Sequence, residues 1–187
     1  KYLVDKIKDI SYHISPLSFY QVNPKQTVKL YEKALEYADL SGEEIVYDLY
    51  CGIGTISLFL AQGAKEVFGI EVVGAAIDDA KQNAKLNNIE NVHFYTGLAE
   101  EMMPKLYNEE GIKADVVVLD PPRKGCEESL LKAIVDMSPE KIVYVSCDPG
   151  TLSRDIKFLV GNGYKLNKFC GVDMFSHSTH VESVSQI

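Results

Sequence analysis

Short apolar runs alternate with helical periodicity along most of this chain, and that alternation leaves few folds open to it. Ile45–Leu49, Glu66–Ile70, Val92–Tyr95, Ala114–Leu119 and Lys141–Val145 each read as a short buried strand. Tyr164–Leu166 and Val181–Val184 complete the strand set. Helical patterns fill the gaps. Asn23-Pro24 has the form of an N-cap followed by proline at the first helical position, and Leu30, Ala34, Leu35 and Ala38 then recur at helical spacing to about Leu40. Further helices are predicted from Gly54 to about Ala61, from Gly74 to Leu86 with Asn87-Asn88 as the stop, from Glu127 to Asp136, and from Pro149 to about Val160. Strands separated by helices must be joined by crossovers. The expected fold is therefore α/β, with a mostly parallel sheet covered by helices on both faces.

The length of 187 residues suits one domain. Residues 23–187 carry the alternation. Residues 1–22 are less regular and read as a lead-in to a domain outside this chain. No apolar run approaches the roughly 18 residues of a membrane span, and the amino terminus lacks the apolar stretch of a signal peptide. Cys51, Cys126, Cys147 and Cys170 show no C-x-x-C spacing, which argues against a zinc ribbon or a dithiol redox pair and favours a reduced, cytoplasmic chain. Nothing marks an exposed apolar seam, so a monomer is expected. The formal net charge is −8. A stand-alone nucleic-acid binder usually carries a basic excess, so either the substrate is not a nucleic acid or the basic surface lies elsewhere in a longer protein.

The turn after the first parallel strand reads Asp48-Leu49-Tyr50-Cys51-Gly52-Ile53-Gly54-Thr55. Glycines let backbone turn tightly and approach a ligand. In dinucleotide binders such a turn holds a pyrophosphate at a helix amino end. Here Asp48 precedes the glycines and would repel phosphate, while Glu71 ends the next strand and suits ribose hydroxyls. S-adenosylmethionine has an ammonium, a sulfonium and a ribose but no phosphate, and it fits this pattern better than a nicotinamide or flavin dinucleotide does.

Asp120-Pro121-Pro122-Arg123 ends the fourth parallel strand. An aromatic after the prolines would mark methylation of an exocyclic amine, but Arg123 stands there. Ser146-Cys147-Asp148-Pro149-Gly150-Thr151 ends the fifth. A cysteine at that sheet end sits where ligands bind in open α/β folds, and the amides of the helix that follows should favour its thiolate. The plain alternative is a small buried hydrophobe. Glu182 in the last strand has the plain alternative of a solvated acid. Asp173, His177 and His180 fit no common metal spacing, and no metal is expected.

Taken together, Phe19-Tyr20-Gln21-Val22-Asn23, Asp48-Leu49-Tyr50-Cys51-Gly52-x-Gly54, Asp120-Pro121-Pro122-Arg123-x-Gly125, Ser146-Cys147-Asp148-Pro149-x-Thr151 and His180-Val181-Glu182 resemble the RNA uracil-C5 methyltransferases, most of all the catalytic domain of the 23S ribosomal-RNA branch. The resemblance implies a Rossmann-like class I S-adenosylmethionine-dependent fold with a seven-stranded sheet. It implies an RNA substrate, a β-barrel RNA-binding domain in the full-length protein and, in many members, an iron–sulfur cluster. It assigns Cys147 as nucleophile and Glu182 as general base. It sets Gln21, Asp48, Tyr50, Gly52, Gly54, Glu71 and Asp120 around the cofactor, and Phe19, Gln21, Asp120 and Arg123 around the target base.

The chemistry so implied is covalent catalysis: a thiolate adds to C6 of uracil, C5 becomes nucleophilic, and a base removes the C5 proton after methylation. The target base must leave its stack to reach such a pocket, where Phe19 or Tyr20 could support it. The nearest alternatives are methylation of a transfer-RNA uridine and of an RNA cytosine. Cytosine enzymes commonly carry a second cysteine beside the prolines, where this chain has Asp120. A Rossmann-type oxidoreductase and a non-catalytic cofactor-binding or RNA-binding module are the alternatives of other classes.

Overall fold

The computed structural model describes residues 3–15, 21, 23–174 and 181–187. The chain runs β1 (Leu3–Ile7), β2 (Ile10–Ile14), α1 (Pro24–Ala38), β3 (Ile45–Leu49), α2 (Thr55–Leu60), β4 (Glu66–Glu71), α3 (Gly74–Leu86) and β5 (Val92–Thr96). It continues through α4 (Ala99–Asn108), β6 (Val116–Leu119), α5 (Glu128–Met137), β7 (Lys141–Ser146), α6 (Pro149–Gly161), β8 (Lys168–Val172) and β9 (Glu182–Gln186). The main sheet has seven strands in the order β5-β4-β3-β6-β7-β9-β8. The pairings from β5 through β7 are parallel, and β9 lies antiparallel between β7 and β8.

The apolar runs have no polar alternation because both faces are covered. Val46, Val116, Val118, Val143 and Val145 pack in one layer with residues of α1, α2 and α3. Their neighbours Tyr47, Leu49, Val117, Leu119, Ile142 and Tyr144 pack in the other with residues of α4, α5 and α6. Helix α1 starts as its sequence indicates: the Asn23 side chain accepts from the Gln26 amide, and Pro24 takes the first helical position.

The sheet is wound outward from β3 to the β5 edge, and the chain then returns to the other side of β3 to form β6. The loops after β3 and β6 therefore diverge and leave a crevice at the carboxyl ends of the strands.

Three features depart from the sequence expectations. The segment read as an irregular lead-in holds the β1–β2 hairpin, which buries Ile7, Ile10, Tyr12 and Ile14 in the layer shared with α1–α3. Asn83 on α3 and Asn87, its C-cap one turn on, bond the β2 backbone as a neighbouring strand would: Asn83 through the His13 amide and carbonyl, Asn87 through those of Ser11. Tyr164–Leu166 is not a strand. The Tyr164 hydroxyl donates to the Pro139 carbonyl at 3.0 Å, and strand pairing begins only at Lys168. Helix α4 was not expected, and it contains Pro104. Phe19, Tyr20, Val22, His177 and His180 lie outside the described residues.

Candidate active site

A cavity of about 660 Å³ opens at the carboxyl ends of β3, β4, β6 and β7. Gln21, Asp48, Tyr50, Gly52, Glu71, Asp120, Arg123, Cys147 and Glu182 all line it. Nearly every candidate residue of the scattered sequence motifs thus meets at one place.

At the end of β3 the backbone turns sharply. Tyr50 takes a left-handed conformation (φ 69°), and the amides of Tyr50 and Cys51 both donate to the Ile70 carbonyl. Asp48 is fully buried beneath this turn. Its Oδ2 accepts from the Ser57 hydroxyl of α2, whereas Oδ1 is among the few buried side-chain oxygens of the described residues with no hydrogen-bond partner. Burial, with a contribution from Glu71, pushes the Asp48 carboxyl up to about 7. Glu71 is oriented by the Gly52 amide on Oε2 (3.2 Å) and the Val73 amide on Oε1 (3.0 Å). An ionised carboxylate keeps further lone pairs for hydroxyl donors after such bonds.

Gly54 differs from the other expected ligand contacts, because it does not line the cavity. It sits at φ +80°, and a Cβ there would stand 2.8 Å from the Phe94 ring. The glycine is required there by backbone conformation and by packing.

Asp120 follows β6 at the crevice. Burial, reinforced by Glu182 and Asp48, raises its carboxyl to about 8. Cys147 follows β7 and is half-buried. Glu182 opens β9, is only 8% exposed, and is held above the ordinary carboxylate range by burial, which Arg123 partly opposes. The solvated-acid alternative for Glu182 therefore does not hold.

The thiolate expectation for Cys147 needs correction. Burial first, then the Glu182 and Asp120 carboxyls, push the thiol above its ordinary value; Arg123 pulls the other way. The α6 amides do not serve the sulfur, because the Asp148 side chain caps the helix and accepts from Gly150 (2.9 Å) and Thr151 (3.0 Å). The charged group that favours a thiolate is the Arg123 guanidinium, with a smaller contribution from a backbone hydrogen bond at Cys147.

Further residues outside the sequence motifs also line the cavity. Leu98, Ala99 and Glu100 come from the start of the unexpected α4, and Tyr31 comes from α1. Cys126 is 5% exposed, does not line the cavity, and has its thiol pushed up to about 12, chiefly by burial. It is not a second thiol facing the prolines.

The cavity wall is acidic through Asp48, Glu71, Glu100, Asp120, Glu127 and Glu182, with Arg123 and Lys124 on one side. An orphaned buried carboxylate oxygen in such a wall fits a cationic amine and fits a pyrophosphate poorly.

The sheet order, with one antiparallel strand beside β7, and the crevice at its switch point define a Rossmann-like class I methyltransferase fold. A ribosomal protein L11 methylase from Lactobacillus delbrueckii subsp. bulgaricus shares that fold, with a TM-score of 0.66 at 18% identity over 93% of this chain and 82% of its own. The chain belongs to the tRNA (uracil-5-)-methyltransferase family, whose model matches residues 2–186. The crystal structure of Pyrococcus abyssi tRNA (uracil-54, C5)-methyltransferase in complex with S-adenosyl-L-homocysteine superposes with a TM-score of 0.85 at 34% identity, over 99% of this chain and 44% of that one. A Clostridium tetani protein named as an uncharacterized RNA methyltransferase is 60% identical over 97% of this chain and 39% of its own length. The chain thus spans about two fifths of the length of the curated relatives it matches.

Proposed function

We propose that this chain is the catalytic domain of an enzyme that methylates C5 of a uridine in RNA, with Cys147 as nucleophile and Glu182 as base. The observation that carries this reading is the convergence of Cys147, Glu182, Asp120 and Arg123 on the acidic cavity that also holds the orphaned Asp48 oxygen. Family membership and the solved relative's bound S-adenosyl-L-homocysteine support S-adenosylmethionine as the cofactor. Asp48, Tyr50, Gly52 and Glu71 would hold it, with Gln21 and Asp120 close by, and it would supply an electrophilic methyl group.

The chain's own residues do the remaining chemistry. Arg123 offsets the carboxylates around Cys147 and raises the thiolate fraction. The thiolate adds to C6 of the uracil, the C5–C6 double bond becomes a nucleophilic centre at C5, and the Sγ–C6 bond holds the base in place. After methylation Glu182 takes the C5 proton. The electron pair left by that proton re-forms the ring double bond as the Sγ–C6 bond breaks. Asp120, with a carboxyl that keeps its proton to about pH 8, can donate to a carbonyl edge of uracil. The withdrawal of Cys126 from the cavity disfavours cytosine chemistry that relies on a second cysteine beside the prolines.

We assign the ribosomal-RNA branch on the motif resemblance, and the enzyme as cytoplasmic and monomeric, with RNA gripped by a barrel domain of the longer protein. A transfer-RNA T-loop is the second reading, favoured by the solved relative.

The test is an intact-mass measurement on the full-length protein, incubated with S-adenosylmethionine and RNA containing 5-fluorouridine, in 23S and tRNA transcripts. Fluorine cannot leave as a proton, so the adduct stalls. RNA plus one methyl on the protein, lost in Cys147→Ala, is the expected result. An adduct with 5-fluorocytidine RNA alone would move the assignment to cytosine.

A further inference from the structure

The loop after β6, residues 120–127, carries Asp120 and Arg123 into the cavity, while Cys147 enters from the end of β7. These are separate segments, and the covalent step needs them in register. The loop is gripped by α6, the helix that starts just after Cys147. The Thr151 hydroxyl donates to the Arg123 carbonyl at 3.1 Å. The Arg154 guanidinium donates to the carbonyls of Lys124 (3.0 Å) and Cys126 (3.1 Å). Asp155 Oδ2 accepts from the Cys126 amide at 2.9 Å and from the Tyr144 hydroxyl of β7 at 2.6 Å, and its Oδ1 accepts from Arg154 Nε at 2.8 Å. Between them Gly125 sits at φ +75°, where a Cβ would lie 2.6 Å from Arg154 and 2.7 Å from Asp155. The loop backbone is pressed against the helix too closely for any side chain.

We propose, resting on the uridine reading above, that Arg154 and Asp155 are positioning residues that lock the Asp120–Arg123 loop to the strand and helix flanking Cys147. A fully buried carboxylate on a helix is a costly way to fill space, since a charge removed from water must be matched by donors. Here the donors come from β7, α6 and the loop at once, so Asp155 fixes the three against each other. Glu182, Asp120 and Arg123 are the charged groups that face Cys147, and Arg123 is the one among them that favours its thiolate. Releasing the loop would carry Arg123 away from the sulfur.

The experiment uses the full-length protein and the variants Arg154→Ala and Asp155→Asn. The Arg154 side chain is 57% exposed, so its removal leaves the core intact even if the Asp155 variant fails to fold. The rate of adduct formation with 5-fluorouridine RNA should fall roughly 10- to 100-fold, the size expected when reacting groups are misplaced by about an ångström. The rise of that rate with pH should move to higher pH, while S-adenosylmethionine affinity falls by much less than the rate. Cys126, shielded in the wild type, should become alkylated faster by iodoacetamide. An Arg154→Ala protein with wild-type rate and pH profile overturns the proposal. So does a loss of cofactor affinity in step with rate, the mark of a general structural defect. If the wild type itself forms no adduct, the uridine reading fails, and unchanged Cys126 alkylation in the variant would still refute the clamp.

Discussion

Cys147 and Glu182 are brought together by strand register. β7 and β9 run antiparallel with Ser146 opposite Ser183 at the end of their ladder, so Cys147, one residue past β7, and Glu182, the first residue of β9, lie at the same end of the pair. The pairing is fixed by the ladder and by the Ser183 hydroxyl on the Ser146 carbonyl. Thiol and carboxyl therefore line the same cavity from adjacent strands.

This relationship makes the role of Glu182 separable from that of Cys147. Glu182→Gln keeps the shape but cannot take the C5 proton. Turnover should fall on the order of 100- to 10,000-fold, the usual contribution of a positioned base. A covalent RNA–protein species carrying the methyl should accumulate with ordinary uridine RNA, seen as a slow-migrating band on a denaturing gel. Slow turnover with no trapped species would assign the proton to another group.

Most of the fold was legible because buried parallel strands write themselves as apolar runs. Ile45–Leu49 and Gly74–Leu86 agree with β3 and α3 to the residue. Helix α4 escaped notice because Pro104 sits inside it; burial of Ala99, Met103 and Leu106 outweighs the lost backbone bond. The β1–β2 hairpin is short, and although Ile10, Tyr12 and Ile14 alternate as a half-buried strand does, its backbone partners Asn83 and Asn87 lie some 70 residues away. At the site, residue types at strand ends were readable. The unfavourable setting of the Cys147 thiol was not, since it depends on Asp148 taking the helix amides and on carboxyls contributed by other strands.

Asp48 gives a direct test of cation recognition. Its Ser57 bond fixes one oxygen and leaves the other, buried in a residue of the cavity wall, without a hydrogen-bond partner. Asp48→Asn preserves size and removes the charge. A hydrogen bond to a charged group contributes about 1.5–3 kcal/mol, so S-adenosylmethionine affinity should fall roughly 10- to 100-fold by calorimetry. Equal affinity in wild type and variant would mean the ligand's ammonium lies elsewhere.

Asn83 joins the hairpin to the glycine turn, because the same buried amide that bonds His13 also donates to the Ile53 carbonyl at 3.2 Å. Asn83→Leu leaves those backbone groups without these partners. Each buried group so stranded costs about 1–3 kcal/mol, and for a domain of this size 1 kcal/mol moves Tm by roughly 2–4 °C. A drop of several degrees in a thermal melt is expected, together with weaker cofactor binding. An unchanged Tm would show that the hairpin is not part of the cooperative core.

The contribution of Asp48 and Asp120 to the stability of the ligand-free protein should fall as pH rises toward mildly alkaline values, and Asp48 lets it be isolated. Its carboxyl titrates near 7 in the fold against an ordinary value of 3.8, and that of Asp120 near 8. Both are raised, so the folded chain holds protons that the unfolded chain has released. The stabilisation is complete below pH 3.8 and is lost progressively as pH climbs through 7 and 8. For Asp48 alone the loss is on the order of 4 kcal/mol at most. Asp48→Asn has no such proton to lose. Between about pH 5 and pH 8 the wild type should therefore lose several degrees of Tm more than the variant, at roughly 2–4 °C per kcal/mol. S-adenosylmethionine should reverse the trend, since an ammonium beside Asp48 favours the ionised carboxyl and binds better above its titration. Parallel Tm–pH curves for wild type and variant, with and without the ligand, would mean that Asp48 is already ionised in the empty fold.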